Sequence, residues 1–182
     1  MLRAIGMVEL TSIAKGFEAA DAMLKTADVE LLSATAVCPG KYFVIVHGNV
    51  AAVESAVRAG KQIAGEYLVD EFILANVHPS VFPAITATTQ LTELKALGII
   101  ESFSIAAMIF AADAALKAAN VEAIELRLGS GLGGKSYFTF TGDVSAVKAS
   151  VDAGAESTIE KGLLVEKVVI PSPSKELLSS IF

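Results

Sequence analysis

The sequence of 182 residues has little cysteine, little aromatic content and little charge. It contains one cysteine, no tryptophan, 7% aromatic residues and 19% charged residues, with a formal net charge of −6. One cysteine cannot form an internal disulfide, so a reducing cytoplasm is the expected environment. The negative charge argues against binding to nucleic acid, which requires clustered lysine and arginine.

A membrane span and a targeting signal are also missing from the pattern. The most apolar stretch, residues 105–116, is interrupted by Asp113 and is much shorter than the about 20 residues that a membrane span requires. The start, Met1-Leu2-Arg3, leads into a strand-like run and has no features of a signal peptide. Hydrophobic residues make up 53% of the chain, which excludes disorder and indicates burial against other subunits.

The chain contains an internal repeat. With a shift of 92 residues, segment 4–30 aligns with 96–122 and 15 of 27 positions are identical. After two inserted residues, segment 40–60 aligns with 134–154 and 9 of 21 positions are identical. We therefore expect two copies of one domain, residues 1–90 and 91–182. Two copies are too few for a solenoid, which needs at least three repeats.

Each copy has the pattern of an α+β domain. In the first copy, strands are predicted at 4–10, 29–37, 42–46 and 69–74, with helices at 13–26 and from Asn49 to Gly60. Ser12 or Thr11, and Asn49 or its counterpart Asp143, are predicted helix caps. The order β-α-β-β-α-β predicts two tandem ferredoxin-like domains, each a mainly antiparallel sheet with helices packed on it. A single helical turn is expected at 81–85 and a short helix from Ser174.

Residues 129–136 match a phosphate-binding pattern by letter, but their context argues against nucleotide binding. That pattern requires a strand before the loop and a helix after it. Here residues 137–141 read as a strand, and Lys41 also opens a strand in the first copy. The glycines are better explained by a loop in which backbones approach closely.

Two loops occupy equivalent points of the repeat, and the first contains the only cysteine. Val37-Cys38-Pro39-Gly40 lies between two strands, and residues 129–134 are its counterpart. We expect both loops to meet at the centre of a symmetric assembly. Each chain of such an assembly would then offer one thiolate to a shared metal site, and thiolates are the usual ligands of iron–sulfur clusters. The alternative is a buried thiol that packs as a small hydrophobe, and the residues alone leave both open.

Segments in both copies resemble bacterial microcompartment shell proteins. They are Ala4-Ile5-Gly6-Met7-Val8-Glu9, Leu24-Lys25-Thr26-Ala27-Asp28-Val29, Gly129-Ser130-Gly131-Leu132, Gly142-Asp143-Val144-Ser145-Ala146-Val147 and Val151-Asp152-Ala153-Gly154. The chain most resembles the tandem-domain trimeric type of propanediol-utilisation microcompartments. That similarity depends on residues 38–41, 74–81 and 161–165.

The resemblance implies a pseudohexameric homotrimer that tiles with other shell proteins in a cytoplasmic microcompartment. It implies an iron–sulfur cluster, of the 4Fe-4S type, held on the threefold axis by Cys38 from three chains, for electron transfer or cluster delivery to encapsulated redox enzymes. The implied pore loops contain Val37, Pro39, Gly40, Ser130, Gly131, Leu132 and Gly133. Lys25, Lys117 and His78 are the implied edge contacts, although Ser172 replaces an arginine that many relatives have between two prolines.

Other interpretations remain at the level of sequence. The shell could lack a metal and use the Cys38 ring as a pore for small metabolites. A soluble trimeric ferredoxin-like signalling protein is a further alternative. We expect no enzyme, because no nucleophile–base pair or internal metal-ligand spacing is evident. Glu9, Glu101, Asp21 and Asp113 are interpreted as cap and edge residues, and the stripe Ile105, Ile109, Ala112 and Leu116 as core.

Overall fold

The structure, a computed structural model, describes residues 4–91, 93–174 and 176–177. Its strands and helices follow the repeat, with one additional short helix after the first copy. In chain order they are β1 (Ala4–Leu10), α1 (Ile13–Thr26), β2 (Val29–Val37), β3 (Lys41–Gly48), α2 (Val50–Ala64), β4 (Leu68–Ala75), α3 (Val81–Ile85), β5 (Ala96–Ser102), α4 (Ile105–Ala118), β6 (Val121–Leu128), β7 (Ser136–Gly142), α5 (Val144–Glu160) and β8 (Leu164–Ile170).

Two four-stranded antiparallel sheets form, one from each copy. The strand orders are β2-β3-β1-β4 and β6-β7-β5-β8, so corresponding strands occupy corresponding places. The central strands β1 and β3, and β5 and β7, contain most of the buried residues of the two sheets. The predicted α+β class, with two tandem domains of antiparallel sheet and helices, is confirmed.

The chain divides into two compact units. The first contains Met1–Val77 together with Gly129–Gly134, and the second contains His78–Leu128 and Lys135–Phe182. The segment that follows β4 therefore belongs to the second unit. The predicted domain limits, 1–90 and 91–182, describe the sequence repeat and stay a prediction.

The core of the first unit lies between its sheet and its helices. Val8 and Leu10 of β1 are fully buried there with Met23 of α1 and Val53 of α2. Gly60 allows α2 to approach α1, since a Cβ at this position would lie 2.7 Å from the Met23 sulfur. The helical periodicity of the sequence and the alternate residues of β1 that face the helices thus produce one apolar layer.

Helix ends agree with the sequence in part. Ser12 and Asn49 cap α1 and α2 as predicted, and Asn49 Oδ1 accepts from the Ala52 N–H at 2.8 Å. The predicted end of α2 at Gly60 is wrong, because α2 continues to Ala64 and Gly65 follows at φ 51°. Asp143 precedes α5, but its carboxylate pairs with Lys95 at 3.2 Å and makes no capping hydrogen bond.

The apolar stripe of the first helix in each copy is buried on α4 but exposed on α1. In α4 the stripe formed by Ile105, Ile109, Ala112 and Leu116 is at most 4% exposed, as the core interpretation predicts. On α1 the counterparts Ile13, Phe17 and Leu24 are 41%, 63% and 39% exposed. A solvent-exposed phenylalanine beside two aliphatic side chains indicates a surface that is available for a partner.

The remaining expectations concern the segments after β4 and β8. The predicted turn at 81–85 is confirmed as α3. The short helix expected from Ser174 falls largely outside the described residues, of which 176 and 177 are helical. Within the part of the chain that the structure describes, no helix has both the length and the apolarity for a membrane crossing.

Candidate functional site

Cys38 lies in the tight connection between β2 and β3. Val37 is the last residue of β2 and is 5% exposed, whereas Cys38 is half-buried and its thiol is free of any disulfide. Gly40 has φ 77°, a conformation that favours glycine, and leads into Lys41 at the start of β3. The thiol is therefore at the tip of a short, well-defined turn, and the interpretation as a fully buried thiol is wrong for the isolated chain.

The glycine-rich loop 129–134 is part of the same compact unit as Cys38. The Cys38 N–H donates to the Gly129 carbonyl oxygen at 3.4 Å. A Cβ added to Gly134 would lie 3.6 Å from the Cys38 carbonyl oxygen, so the backbones of the two loops lie close together here. The structure thus brings together the two loops that the repeat placed at equivalent positions.

Loop 129–134 has a conformation that demands its glycines. Gly129, Gly131, Gly133 and Gly134 all have positive φ, between 61° and 87°. Ser130, Gly131 and Gly133 are exposed and Leu132 is half-buried. The loop is followed by strand β7 and not by a helix, which agrees with the rejection of a phosphate-binding loop.

An ion pair at the base of each loop repeats in the two copies. Glu9, which is 3% exposed, pairs with Lys41, and Glu101 Oε1 pairs with Lys135 Nζ at 2.5 Å. Both glutamates, interpreted from the sequence as cap or edge residues, lie one residue before the end of their strands β1 and β5. Each carboxylate lies within a strand because the lysine that follows the loop compensates its charge.

A polar cluster on β6 and β7 was not predicted from the sequence. The Tyr137 hydroxyl donates to Glu125 Oε2 at 2.7 Å, and Arg127 pairs with Glu125 at 2.8 Å. Burial, followed by the hydrogen bond to Glu125, raises the pKa of Tyr137 to about 12. The alternation of β6 was the available signal, because residues 125 and 127 share a face and Arg127 is opposite Tyr137.

The donor set of one chain is too small for an iron–sulfur cluster. Among the described residues, no group of three or more His, Cys, Asp or Glu side chains could hold a metal ion. Cys38 is the only cysteine of the sequence, so one polypeptide supplies one thiolate. A cluster with cysteine ligands fits this chain only where several copies share it.

The predicted edge residues lie outside the two loops. Lys25 pairs with Asp21 at 2.6 Å on the surface of α1, with side chains 75% and 61% exposed. Lys117 pairs with Asp113 at 2.6 Å on α4, but Asp113 is only 8% exposed and also accepts from the His78 N–H. The edge role of Lys25, Lys117 and His78 stays a prediction.

Comparison with known proteins gives the family. The profile of the BMC domain matches residues 4–77 and 96–173. The bacterial microcompartment shell protein PduT of Citrobacter freundii is 48% identical over 97% of this chain and 96% of its own length. The carboxysome assembly protein CcmO of Synechococcus elongatus is 31% identical over 98% of this chain and 68% of its own.

A solved structure agrees with both the sequence match and the fold. The crystal structure of a microcompartment protein from Desulfitobacterium hafniense DCB superposes with a TM-score of 0.96 at 57% identity. The match covers 98% of this chain and 99% of that one. The chain therefore belongs to the BMC-domain family of bacterial microcompartment shell proteins, and its place is the shell of a microcompartment in the cytoplasm.

Proposed function

We propose that three copies of this chain form a pseudohexameric shell unit whose central Cys38 thiolates hold an iron–sulfur cluster. The observation that carries the proposal is the solitary, half-buried thiol at the tip of the β2–β3 loop. In a threefold-symmetric assembly each chain supplies one Cys38 thiolate, so three ligands are available without any further metal-binding residue in the chain.

The loops around Cys38 support a shared axial site. The Cys38 backbone is held by Gly129, while Lys41 and Glu9 hold the start of β3. Gly40, Gly131 and Gly133 have no heavy atom within 4 Å of an added Cβ, so this side of the loops is open. Related loops of other copies can approach there without displacing side chains of this chain.

The chemistry of the donor set favours a four-iron cluster with one atypical ligand. Iron–sulfur clusters normally use four cysteine thiolates, and three copies supply three. The remaining iron would take water or another ligand that is not cysteine. When bound, the cluster supplies one-electron transfer across the shell or can be handed to redox enzymes inside it.

Lateral contacts complete the proposed shell role. Lys25 is the most exposed of the three predicted edge residues and lies at the end of α1, where it can reach a neighbouring unit. Lys117 and His78 are tied to Asp113 and would contribute a more rigid edge. The partners in this arrangement are other shell proteins, and the role is structural and conductive, not catalytic.

A pore without metal is the second candidate. The open space around Gly40, Gly131 and Gly133 favours it, because uncrowded glycine loops can change conformation and gate passage. In this case the Cys38 ring would line the passage for small metabolites. Membership of the shell family favours either shell role over a soluble signalling protein.

The deciding experiment measures iron and acid-labile sulfide in protein purified without air. We expect a brown absorbance that oxygen removes, with about four irons per three chains for a 4Fe-4S cluster. Cys38→Ser should remove both iron and sulfide. Thr35→Ala, which changes strand β2 shortly before the Cys38 loop and removes no thiol, is the matched control and should bind as much iron as the parent.

Two outcomes would separate the candidates. If the parent protein contains neither iron nor sulfide after anaerobic purification, the cluster proposal fails and the metal-free pore is favoured. Equal iron in Cys38→Ser and the parent would show that any bound iron has other ligands.

A further inference from the structure

In the second unit, the segment that follows β4 covers one side of β6 and α4. The His78 N–H donates to Asp113 Oδ1 at 2.8 Å, and Thr89 Oγ1 donates to the Ile124 carbonyl oxygen at 2.6 Å. Between them α3 packs on β6 and α4, and its Val81 is fully buried. Ala123 and Ile124 of the edge strand β6 are buried there, and the apolar stripe of α4 is buried as well.

The equivalent surface of the first copy is exposed. We call it the α1–β2 face, which is formed by Ile13, Phe17 and Leu24 of α1 and Leu31 of β2. Leu31 is 47% exposed whereas its counterpart Ala123 is 7% exposed, and β2 is an edge strand like β6. The Asp21 side chain is 61% exposed whereas that of Asp113 is 8% exposed. In the second copy, Asp113 accepts from the His78 N–H and α3 packs on β6, so two of these differences lie beside the segment that follows β4.

The segment after β8 is the counterpart of the covering segment. Leu74 pairs with Ile5, and Ile170 pairs with Leu97, so residues 74 and 170 occupy the same register in the two sheets. Counting seven residues onward from each places Leu177 at the position of Val81. Leu177 is 36% exposed, and the sequence continues with Leu178, Ile181 and Phe182. Leu177 and the apolar α1–β2 face are thus both exposed in one chain.

We propose that residues 171–182 of one chain dock on the α1–β2 face of a second copy. This inference rests on the proposed trimer and identifies the contact between its chains. Since the segment and the face are different surfaces, the contact is head-to-tail, and such contacts close a ring when the rotation allows it. By the same equivalence, the N–H of residue 174 donates to Asp21 of the second copy, and Leu177 contacts the stripe that contains Phe17.

Photo-crosslinking tests the contact directly. Phe17 is replaced by the photoreactive p-benzoylphenylalanine in the full chain, and Phe103 is replaced in the same way as a control. Phe103 is 59% exposed, close to the 63% of Phe17, but it precedes α4 and lies outside the α1–β2 face. We expect a two-chain adduct from position 17, with the link in the tryptic peptide of residues 176–182, and no such peptide from position 103.

Sedimentation of matched variants measures what the contact contributes. Phe17→Ser should raise the concentration at which the assembly dissociates by about tenfold or more, as expected for an aromatic residue in an interface centre. A chain that ends after Pro173 should dissociate similarly, whereas Phe103→Ser should behave as the parent. Circular dichroism of each variant checks that the monomer is folded.

The outcomes separate this inference from the proposed function. If the parent is a trimer but position 17 links to other residues, or Phe17→Ser leaves the trimer unchanged, the docking proposal is wrong and the shared Cys38 site is unaffected. If the parent is not a trimer, the proposed three-thiol site fails, and the crosslinked peptide alone decides whether the head-to-tail contact exists.

Discussion

Lys41 neutralises Glu9 across strands β3 and β1, three residues after Cys38. The Glu9 side chain is 4% exposed and that of Lys41 24%, while the corresponding pair Glu101 and Lys135 is 28% and 37% exposed. The two copies therefore contain the same ion pair at two depths, which allows its contribution to be measured with an internal control.

We expect Lys41→Met to destabilise the protein more than Lys135→Met. Removing Lys41 leaves an uncompensated carboxylate in the interior, at a cost of about 3 kcal/mol in the free energy of unfolding. The more exposed pair should cost about 1 kcal/mol or less. Denaturant unfolding of both variants checks the prediction, and equal losses would mean that burial does not set the contribution.

Gly60 of α2 and Gly154 of α5 occupy equivalent positions, but substitution by alanine should destabilise the protein to different extents. At Gly154 a Cβ would meet the Ala111 carbonyl oxygen at 2.7 Å, and backbone cannot move aside. At Gly60 the nearest atom is the Met23 sulfur, which belongs to a flexible side chain. We expect Gly154→Ala to cost about 1–3 kcal/mol.

For Gly60→Ala, the better helix propensity of alanine, about 1 kcal/mol, should offset most of the crowding. Thermal unfolding of the two variants measures the difference. A loss at Gly60 as large as that at Gly154 would contradict the distinction between backbone and side-chain neighbours.

The Tyr137 cluster should make stability depend on alkaline pH. The pKa of Tyr137 is raised to about 12 in the folded protein, against about 10 in the unfolded chain. The folded state therefore holds this proton more tightly, so its contribution is complete below about pH 10 and is lost as the pH rises toward about 12. The slope should be less than about 1.4 kcal/mol per pH unit, since solvent screens this half-exposed group.

Ultraviolet titration of tyrosinate and unfolding at several alkaline pH values check this behaviour. Glu125→Gln should lower the pKa of Tyr137 only in part, because burial is the larger cause. Tyr137→Phe should reduce the alkaline loss without abolishing it, since burial also raises the pKa of Tyr42. An unchanged alkaline profile in Tyr137→Phe would exclude Tyr137 as its source.

The two helix-end lysines should separate shell assembly from folding. Lys25→Ala breaks an exposed pair and should change the free energy of unfolding by about 0.5 kcal/mol or less. The same variant should form fewer or no sheets at high concentration by electron microscopy if Lys25 contacts a neighbouring unit. Lys117→Ala leaves the buried Asp113 carboxylate without its cation and should also destabilise the fold. Normal sheets from Lys25→Ala would remove this residue from the proposed edge.

The repeat made most of the fold predictable. The predicted limits are correct for β1, for the start of α1 at Ile13 and for the end of β2 at Val37, because short apolar runs and helical spacing are local properties. Gly60 misled the prediction because a glycine that ends a helix and one that allows close packing look alike in sequence. Only the position of Met23 across the helix pair distinguishes them.

The candidate site could be predicted only in part from the sequence. Equivalence of the two loops was evident, but the pairing of Glu9 with Lys41 depends on strand register. The different burial of Phe17 and Ile109 could not be predicted from two similar helices, because it depends on what packs against each helix in the folded chain.

Divergence between the two central loops has a consequence for stoichiometry. A ring of six identical single-domain chains must repeat any axial side chain six times. In this fused chain the first loop contains Cys38 and the second, Gly129–Gly134, contains no thiol. In the proposed trimer, duplication would therefore permit three sulfur ligands around a ring of six domains, an arrangement that no homohexamer can reach by point mutation.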